Sequence, residues 1–434
     1  MSRARLPGVM ALALGVLVVS LAGCAEPVRP AAGPAGPVAS GPSSSPRFAA
    51  DGLDAEALGA SDGYPVRAVF RRKYFVGNFS HYDQLFESRL VRRAAVASAL
   101  TRALAEPALR YEHTGQSFGI AEYLARNPIT ALLIARDGEI LVERYQYGRH
   151  DRHRLASHSM AKTVTAMLVG IAVAEGRIRS VDDAAAAYVP ALEGTEYGRT
   201  RLRDLLQMSS GVRFTETYSG RDDVSRLLVD TIWQAGPGGV DAVKPYNERL
   251  RRGGTGFAYA SVETQVLGLV LRGAVGRPLV DQLQERIWRP MGAEADATWV
   301  VDRAGQEAAY CCLSAVLRDY ARLGLLLARD GRHGGRELIP SAWLRAATTV
   351  APDDWHLKPY AATRMLGYGY QTWIFPGQRR MFAALGAHGQ VIFVDPASRL
   401  VMVQTAVFEE AADAATFDEA FALWRGVVEQ LGGS

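Results

Sequence analysis

The sequence predicts an α/β (α+β) fold. An antiparallel sheet is assembled from both ends of the chain, flanked by N- and C-terminal helices and interrupted by a large, mostly helical insertion at about residues 160–370. Three observations predict it. Two apolar runs, 131–136 and 139–145, flank Asp137-Gly138, a dipeptide suited to the positive φ values of a tight hairpin. A second pair, 390–394 and 400–407, flanks Asp395-Pro396-Ala397-Ser398 near the other end of the chain. Between the two pairs the apolar spacing is that of helices, so the strands at both ends must find each other across the insertion.

The chain begins with Arg3 and Arg5, then an apolar run from Val9 to Leu21 that ends in Leu21-Ala22-Gly23-Cys24. The run is short for a spanning helix, and small residues leading into a cysteine resemble the lipobox of bacterial lipoproteins. The expectation is a signal peptide over 1–23, lipid on the Cys24 thiol, and export, with an uncleaved membrane anchor as the alternative. Ala25 follows in place of the aspartate that often retains lipoproteins at the inner membrane. The expected address is therefore the periplasmic side of the outer membrane in a diderm host, or otherwise the outer face of the cell membrane. Residues 24–47, rich in Pro, Ala, Gly and Ser, read as a tether. An N-terminal extension over 48–124 is expected to pack on the main domain, 125–434. Leu90, Ala94, Ala97 and Leu104 give the extension a helical spacing.

Within the insertion, Val164, Met167, Leu168 and Ile171 form one stripe of a buried helix. Further helices are predicted at 202–208, 261–273, 279–287 and 314–328, the last capped by Ser314, and a final one at 414–431 packs through Phe417, Phe421, Leu423, Trp424 and Val427.

Ser159 and Lys162 stand three residues apart where the first of these helices starts, so hydroxyl and amine share a face. A serine hydroxyl becomes a nucleophile when a neighbouring base takes its proton, and a lysine with a lowered pKa can be that base. The composition supports this choice. The chain uses 49 basic residues, of which only Lys73, Lys162, Lys244 and Lys358 are lysines, and arginine cannot serve as a base. Tyr259-Ala260-Ser261 precedes a helix about a hundred residues later, and a tyrosine near a lysine and a serine can relay protons if positive charge lowers its pKa. His388-Gly389-Gln390 opens a strand, where a glycine would let substrate approach and a strand N–H could complete an oxyanion hole with that of Ser159.

Taken together and in order, Ser-x-x-Lys at 159–162, Tyr-x-Ser at 259–261 and His-Gly-Gln at 388–390 resemble the three motifs of serine hydrolases with the class C β-lactamase and penicillin-binding-protein fold. Leu205-Leu206-Gln207-Met208-Ser209-Ser210-Gly211, Leu313-Ser314-Ala315 and Arg318-Asp319-Tyr320-Ala321 add to the resemblance, which spans roughly 125–430 and is closest to the esterase and 6-aminohexanoate-dimer hydrolase branch. It implies a β-lactamase/transpeptidase-like fold and no cofactor. Ser159 would be the nucleophile, Lys162 and Tyr259 would move the proton, and the backbone N–H groups of Ser159 and Val391 would hold the oxyanion. Tyr218, Ser261, His388, Gly389 and Gln390 would contact substrate. The implied partner is a small ester, amide or short peptide.

Two departures narrow the activity. His388 stands where β-lactamases usually carry the lysine that attracts the antibiotic carboxylate, and Ser261 replaces an asparagine. A neutral imidazole is a weak carboxylate anchor, so ester or amide hydrolysis is favoured. A D-amino-acid peptidase, penicillin-binding or β-lactamase activity is the enzymatic alternative, and a non-catalytic binding lipoprotein the other. Among 434 residues the net charge is only +4, with no basic run, which speaks against a nucleic-acid partner. His150, His153 and His158 read as a loop and not a metal site, and Gly59-Ala60-Ser61-Asp62-Gly63 as a loop and not a nucleophile elbow. Cys311 and Cys312 are expected as two buried thiols, with a vicinal disulfide as the alternative.

Overall fold

The computed structural model describes residues 52–59, 71–412 and 414–433. Cys24, the leader, the tether and residues 60–63 of the glycine-rich loop lie outside the described residues.

Sixteen short and long strands occur among the described residues. β1 (Ser88–Val91), β2 (Thr101–Arg102), β3 (Arg110–His113) and β4 (Gln116–Gly119) come from the N-terminal extension, followed by β5 (Ile129–Arg136), β6 (Glu139–Tyr145) and β7 (Leu155–Ala156). The insertion supplies β8 (Ala297–Val300), β9 (Leu313–Ala315), β10 (Arg332–His333), β11 (Arg336–Glu337), β12 (Gly367–Tyr368) and β13 (Trp373–Ile374). β14 (Phe382–Gly386), β15 (Gln390–Asp395) and β16 (Leu400–Ala406) follow. The four long helices are α1 (Met160–Ala174), α2 (Ser261–Val275), α3 (Leu317–Ala328) and α4 (Ala414–Leu431).

The main sheet has eight strands in the order β12-β13-β14-β15-β16-β5-β6-β2. The two hairpins seen in the sequence therefore meet at its centre, where Met402 pairs Ile134 and Val403 pairs Leu133. Asp137 and Gly138 take φ values of 52° and 99° at the tip of the first hairpin, as a tight turn with two positive-φ residues requires. All pairings in this sheet are antiparallel except that of β2 with β6.

Alternation along the strands separates two cores. Leu132, Ile134, Phe393 and Met402 face α4 and bury Phe421, Trp424 and Val427 against them. Leu133, Ile392, Val401 and Val403 face α3 and α1. Each such large side chain contributes about 1.5–3 kcal/mol through the apolar area it removes from water. Gly324 lets α3 lie close to the sheet, because a Cβ there would strike Val401. α1 is buried nearly all round, between the sheet and α2.

A second sheet, β1-β8-β9-β7, carries the strand that leads into Ser159. The Tyr320 hydroxyl donates to the carbonyls of Leu155 (2.7 Å) and Leu313 (3.0 Å), so α3 clamps β7 to β9. Arg318 fastens the start of α3 to β6 through two bonds to the buried Glu143 carboxylate, 2.8 and 3.0 Å. The Arg318-Asp319-Tyr320-Ala321 motif is thus a mount for the nucleophile strand.

Three expectations are corrected. The stretch through Leu90, Ala94, Ala97 and Leu104 is not helical: the extension forms β1 to β4, and its α-helices, Phe75–Asn78, Tyr82–Leu85 and Ile120–Arg126, lie on either side of that stretch. Of its four spaced apolar residues only Ala94 is buried, and Leu90 and Leu104 are exposed, so the spacing marked no continuous face. Ser314 is a strand residue of β9, and α3 starts at Leu317 after Val316. Cys311 and Cys312 are joined as a vicinal disulfide; Cys312 takes a φ of 68°, which turns the two side chains together before β9.

Glu263 on α2 provides a test of the core. It is 1 % exposed, its Oε1 accepts from the Ser210 hydroxyl at 2.5 Å, and its Oε2 meets no donor among the described residues. Burial raises its pKa well above the usual carboxyl range, so the folded protein holds it protonated. Its stabilising effect is complete below the pKa of the unfolded chain and is lost as pH rises towards the folded-state value. Glu263→Gln is therefore expected to match the parent in thermal melts at acidic pH and to exceed it by about 1–3 kcal/mol under alkaline conditions. A pH-independent difference between the two melts would refute a neutral Glu263.

Candidate active site

Ser159 is placed by a sharp passage from strand to helix. Ala156 N–H donates to Phe79 O (2.7 Å) and Ser157 N–H to Leu313 O (2.8 Å), after which His158 adopts a φ of 43° and Ser159 becomes the N-cap of α1. One helical turn on, Lys162 points back to it. The amine is 1 % exposed and donates to Ser159 Oγ at 3.0 Å, Ser261 Oγ at 3.0 Å and the Tyr310 carbonyl at 3.1 Å. Burial pushes its pKa down to about 8, against the opposing pull of the Glu216 carboxylate. Of the two causes that can lower a lysine pKa, burial and neighbouring positive charge, burial acts here.

Tyr259 joins the same group: its phenol interacts with Ser159, and its ring lies 4.9 Å from Lys162 Nζ. Stacking on Trp373, with centroids 5.5 Å apart, orients the phenol. Burial raises its pKa, so the expected lowering does not occur. Tyr259 is a protonated donor and not a phenolate. Ser261, the first residue of α2, is 2 % exposed and committed on both sides, accepting from Lys162 and donating to Glu216 Oε1 at 2.8 Å. The structure brings Ser159, Lys162, Tyr259 and Ser261 into one network, with Ser261 serving the amine.

Two cavities open on either side of Ser159, of about 680 and 700 Å³. Ser159, Glu216, Tyr218 and Ala387 line both. The first continues past Phe75, Tyr82, His158, His388 and the Cys311–Cys312 disulfide; the second runs past Tyr259, Met365, Trp373 and Leu385. Tyr218 takes a φ of 58° and donates its hydroxyl to Glu216 Oε1 at 2.8 Å. His388, with a φ of 61°, donates Nδ1–H to Phe408 O at 2.8 Å; burial pushes its pKa down to about 4, leaving a neutral ring on the wall of the first cavity.

Three residues of the third sequence motif and its neighbour sit differently from expectation. Gln390 is 1 % exposed, and its amide donates to Ala387 O, His388 O and Ala406 O at 3.1, 3.3 and 2.8 Å. It shapes the turn and lines neither cavity. Gly389 has a φ of 91°, and a Cβ there would meet the Phe408 ring, so the glycine answers to backbone and packing and not to substrate. Val391 is fully buried on β15 and paired on both sides, with Leu385 and Gln404, so it lies one strand in from the cleft and is not an oxyanion donor. The segment beside Ser159 is Leu385 and Gly386, which end β14, with Ala387 directly after it.

Other residues of the site gave no motif. Glu216, Trp373, Ala387, and Phe75 and Tyr82 from the extension reach the cleft only through the fold. His158, a loop residue by the sequence reading, has a structural part in the site. Its Nδ1–H donates to Ala387 O at 2.9 Å and its Nε2 accepts from the Tyr82 hydroxyl at 3.0 Å, which ties the Ser159 turn to the strand edge. Burial pushes its pKa down to about 3, so the ring stays neutral. Among the described residues no group of three or more His, Cys, Asp or Glu side chains is arranged to hold a metal ion, and no helix is long and apolar enough to cross a membrane.

The chain is similar to several known proteins. The Beta-lactamase family description matches residues 120–418. The 6-aminohexanoate-dimer hydrolase of Paenarthrobacter ureafaciens is 27% identical over 327 residues, covering 73% of this chain and 82% of that protein. A solved Bacillus anthracis protein assigned as a 6-aminohexanoate-dimer hydrolase superposes with a TM-score of 0.74 at 22% identity, over 84% of this chain and 97% of that one. EstCE1, described as a hydrolase with promiscuous acyltransferase activity, superposes with a TM-score of 0.54 at 15% identity, over 71% and 96%. With a family match over more than half its length, this chain belongs to the Beta-lactamase family and is a serine hydrolase of the β-lactamase/transpeptidase-like fold.

Proposed function

We propose that the protein hydrolyses a small carboxylic ester or amide through an acyl-enzyme on Ser159. The observation that carries this reading is the buried Lys162 amine, 3.0 Å from the Ser159 hydroxyl with its other two bonds fixed to Ser261 and the Tyr310 carbonyl. A neutral amine keeps two N–H groups for those acceptors and turns its lone pair to the serine proton. Ser159 Oγ then bonds to the substrate carbonyl carbon as its proton passes to Lys162.

The oxyanion is held by the backbone N–H groups of Ser159 and Ala387, in place of the expected Val391, because Ala387, the residue directly after β14, lines both cavities beside Ser159. Tyr259 gives its phenolic proton to the leaving oxygen or nitrogen and recovers one from Lys162 through the network. Water reverses the sequence and frees the acid. The two cavities take the acyl and leaving groups. The names of the relatives support linear amides and esters as first substrates. β-Lactams are expected to be poor substrates, because the neutral His388 is bonded to Phe408 and offers no cation to a carboxylate.

The same reading places the enzyme outside the cytoplasmic membrane, anchored by lipid on Cys24; the support is the apolar run and small-residue cleavage pattern before it. Cys24→Ser is expected to move the protein from the membrane fraction to the soluble fraction, and retention of the variant in the membrane would overturn the anchor.

Mass spectrometry after exposure to a fluorophosphonate should find one adduct, on Ser159, absent from Ser159→Ala. Full ester hydrolysis by that variant would end the assignment. Activity should rise with pH through an acid limb at about 8, the Lys162 titration. Lys162→Arg, which keeps charge but cannot titrate, should lower kcat/KM by about 10²–10⁴-fold; near-normal turnover would exclude a lysine base. Gly386→Ala tests the strand edge, since a Cβ there would collide with the Ser157 carbonyl. The expected result is a fold destabilised by about 1–3 kcal/mol and a loss of acylation rate out of proportion to it, read as adduct formation under conditions where the variant remains folded. Acylation at the parent rate would show that the edge is not part of the oxyanion site.

A further inference from the structure

Glu216 lies in the loop that crosses the first turn of α2, and it gathers three donors. Its Oε2 accepts the Ser261 backbone N–H at 2.7 Å, and its Oε1 accepts the hydroxyls of Ser261 and Tyr218, each at 2.8 Å. All three groups donate to carboxylate oxygens, which only accept. These bonds also fix the direction of the next link. The Ser261 hydroxyl has given its hydrogen to Glu216 and can only accept from Lys162, as it does at 3.0 Å. The order Lys162 to Ser261 to Glu216 is therefore set by the bonds themselves.

The other titratable groups around the amine carry no charge to balance it. The rings of Tyr259 and Tyr310 lie 4.9 and 5.5 Å from Nζ, Tyr218 shares the Glu216 carboxylate, and Glu263 is on the same helix as Ser261. Burial holds all four protonated and neutral. His158 and His388, on the wall of the first cavity, are neutral as well.

We infer that Glu216 is the charge partner of Lys162, acting through the Ser261 hydroxyl to stabilise the ammonium that forms when Ser159 surrenders its proton. It is a positioning residue for the base. The inference rests on the acyl-transfer reading for its use in catalysis, but the partnership of the two charges can be measured without any substrate. Removing the carboxylate charge should make the amine a weaker base, moving the acid limb to lower pH. It should also lower the plateau of kcat/KM, because the ammonium formed in the transition state loses its counter-charge.

The small number of lysines makes the measurement direct. The protein carries four, so labelling with lysine enriched in carbon-13 at Cε gives four side-chain signals, and Lys162→Arg identifies one of them. In Glu216→Gln the Lys162 signal is expected to titrate about one pH unit below its position in the parent, with kcat falling more than KM rises. Ser261→Ala, which keeps the carboxylate but removes the bridge, should move the titration in the same direction by less. If Glu216→Gln does not fold, Ser261→Ala decides alone. A Lys162 titration unmoved in every folded variant overturns the inference even if activity falls, and assigns Glu216 to anchoring its loop. The fluorophosphonate adduct on the parent tests the acyl-transfer reading separately: no adduct on Ser159 with a shifted titration would defeat that reading and leave the charge partnership standing.

Discussion

The site depends on the burial of one amine. Lys162 is surrounded by α1, the start of α2 and the segment before β9, and each supplies it with one oxygen. Three acceptors would satisfy an ammonium, while the low dielectric of the interior favours the neutral form. Burial prevails over the opposing pull of Glu216 and brings the amine down to about 8, where it can take a proton and return it. The all-round burial of α1 follows from the same requirement. A helix with a solvated face would leave this side chain in water, with an ordinary lysine pKa.

Around the amine the fold supplies neutral groups. Tyr259, His158 and His388 are all held uncharged by burial, so the wall next to Lys162 presents hydrogen-bonding groups and ring surfaces. This explains why replacing a lysine by His388 matters more than the substitution alone suggests. His388 spends its Nδ1–H on Phe408 and turns its ring edge to Phe75, so it serves as a wall. Several residues bordering the cleft, His158, Tyr218, Cys312 and His388, hold positive φ, which packing and hydrogen bonds around them must sustain.

The N-terminal extension belongs to the cleft as much as to the scaffold. Residues before the family match at 120–418 contribute Phe75 and Tyr82 to the first cavity. Tyr82 in turn holds His158, and His158 holds the Ala387 carbonyl. A segment with no motif of its own thus connects the turn that presents Ser159 to the strand edge across from it.

By itself the sequence determined the hairpins about Asp137-Gly138 and 395–398, the final helix, and the grouping of Ser159 and Lys162. Each of these depends on neighbours a few residues apart, where turn chemistry and periodicity act directly. The ordered motifs likewise placed the chain in its family. The tertiary structure alone decided which strand faces the nucleophile. The turn at 387–389 carries Val391 inward, so Ala387, and not Val391, borders the cleft beside Ser159. It also decided that Lys162 is buried deeply enough for desolvation to lower its pKa, and that Glu216 meets Ser261, forty-five positions further along the chain. Desolvation and long-range hydrogen bonds depend on what surrounds a group in space, and no local pattern of residues encodes that surrounding.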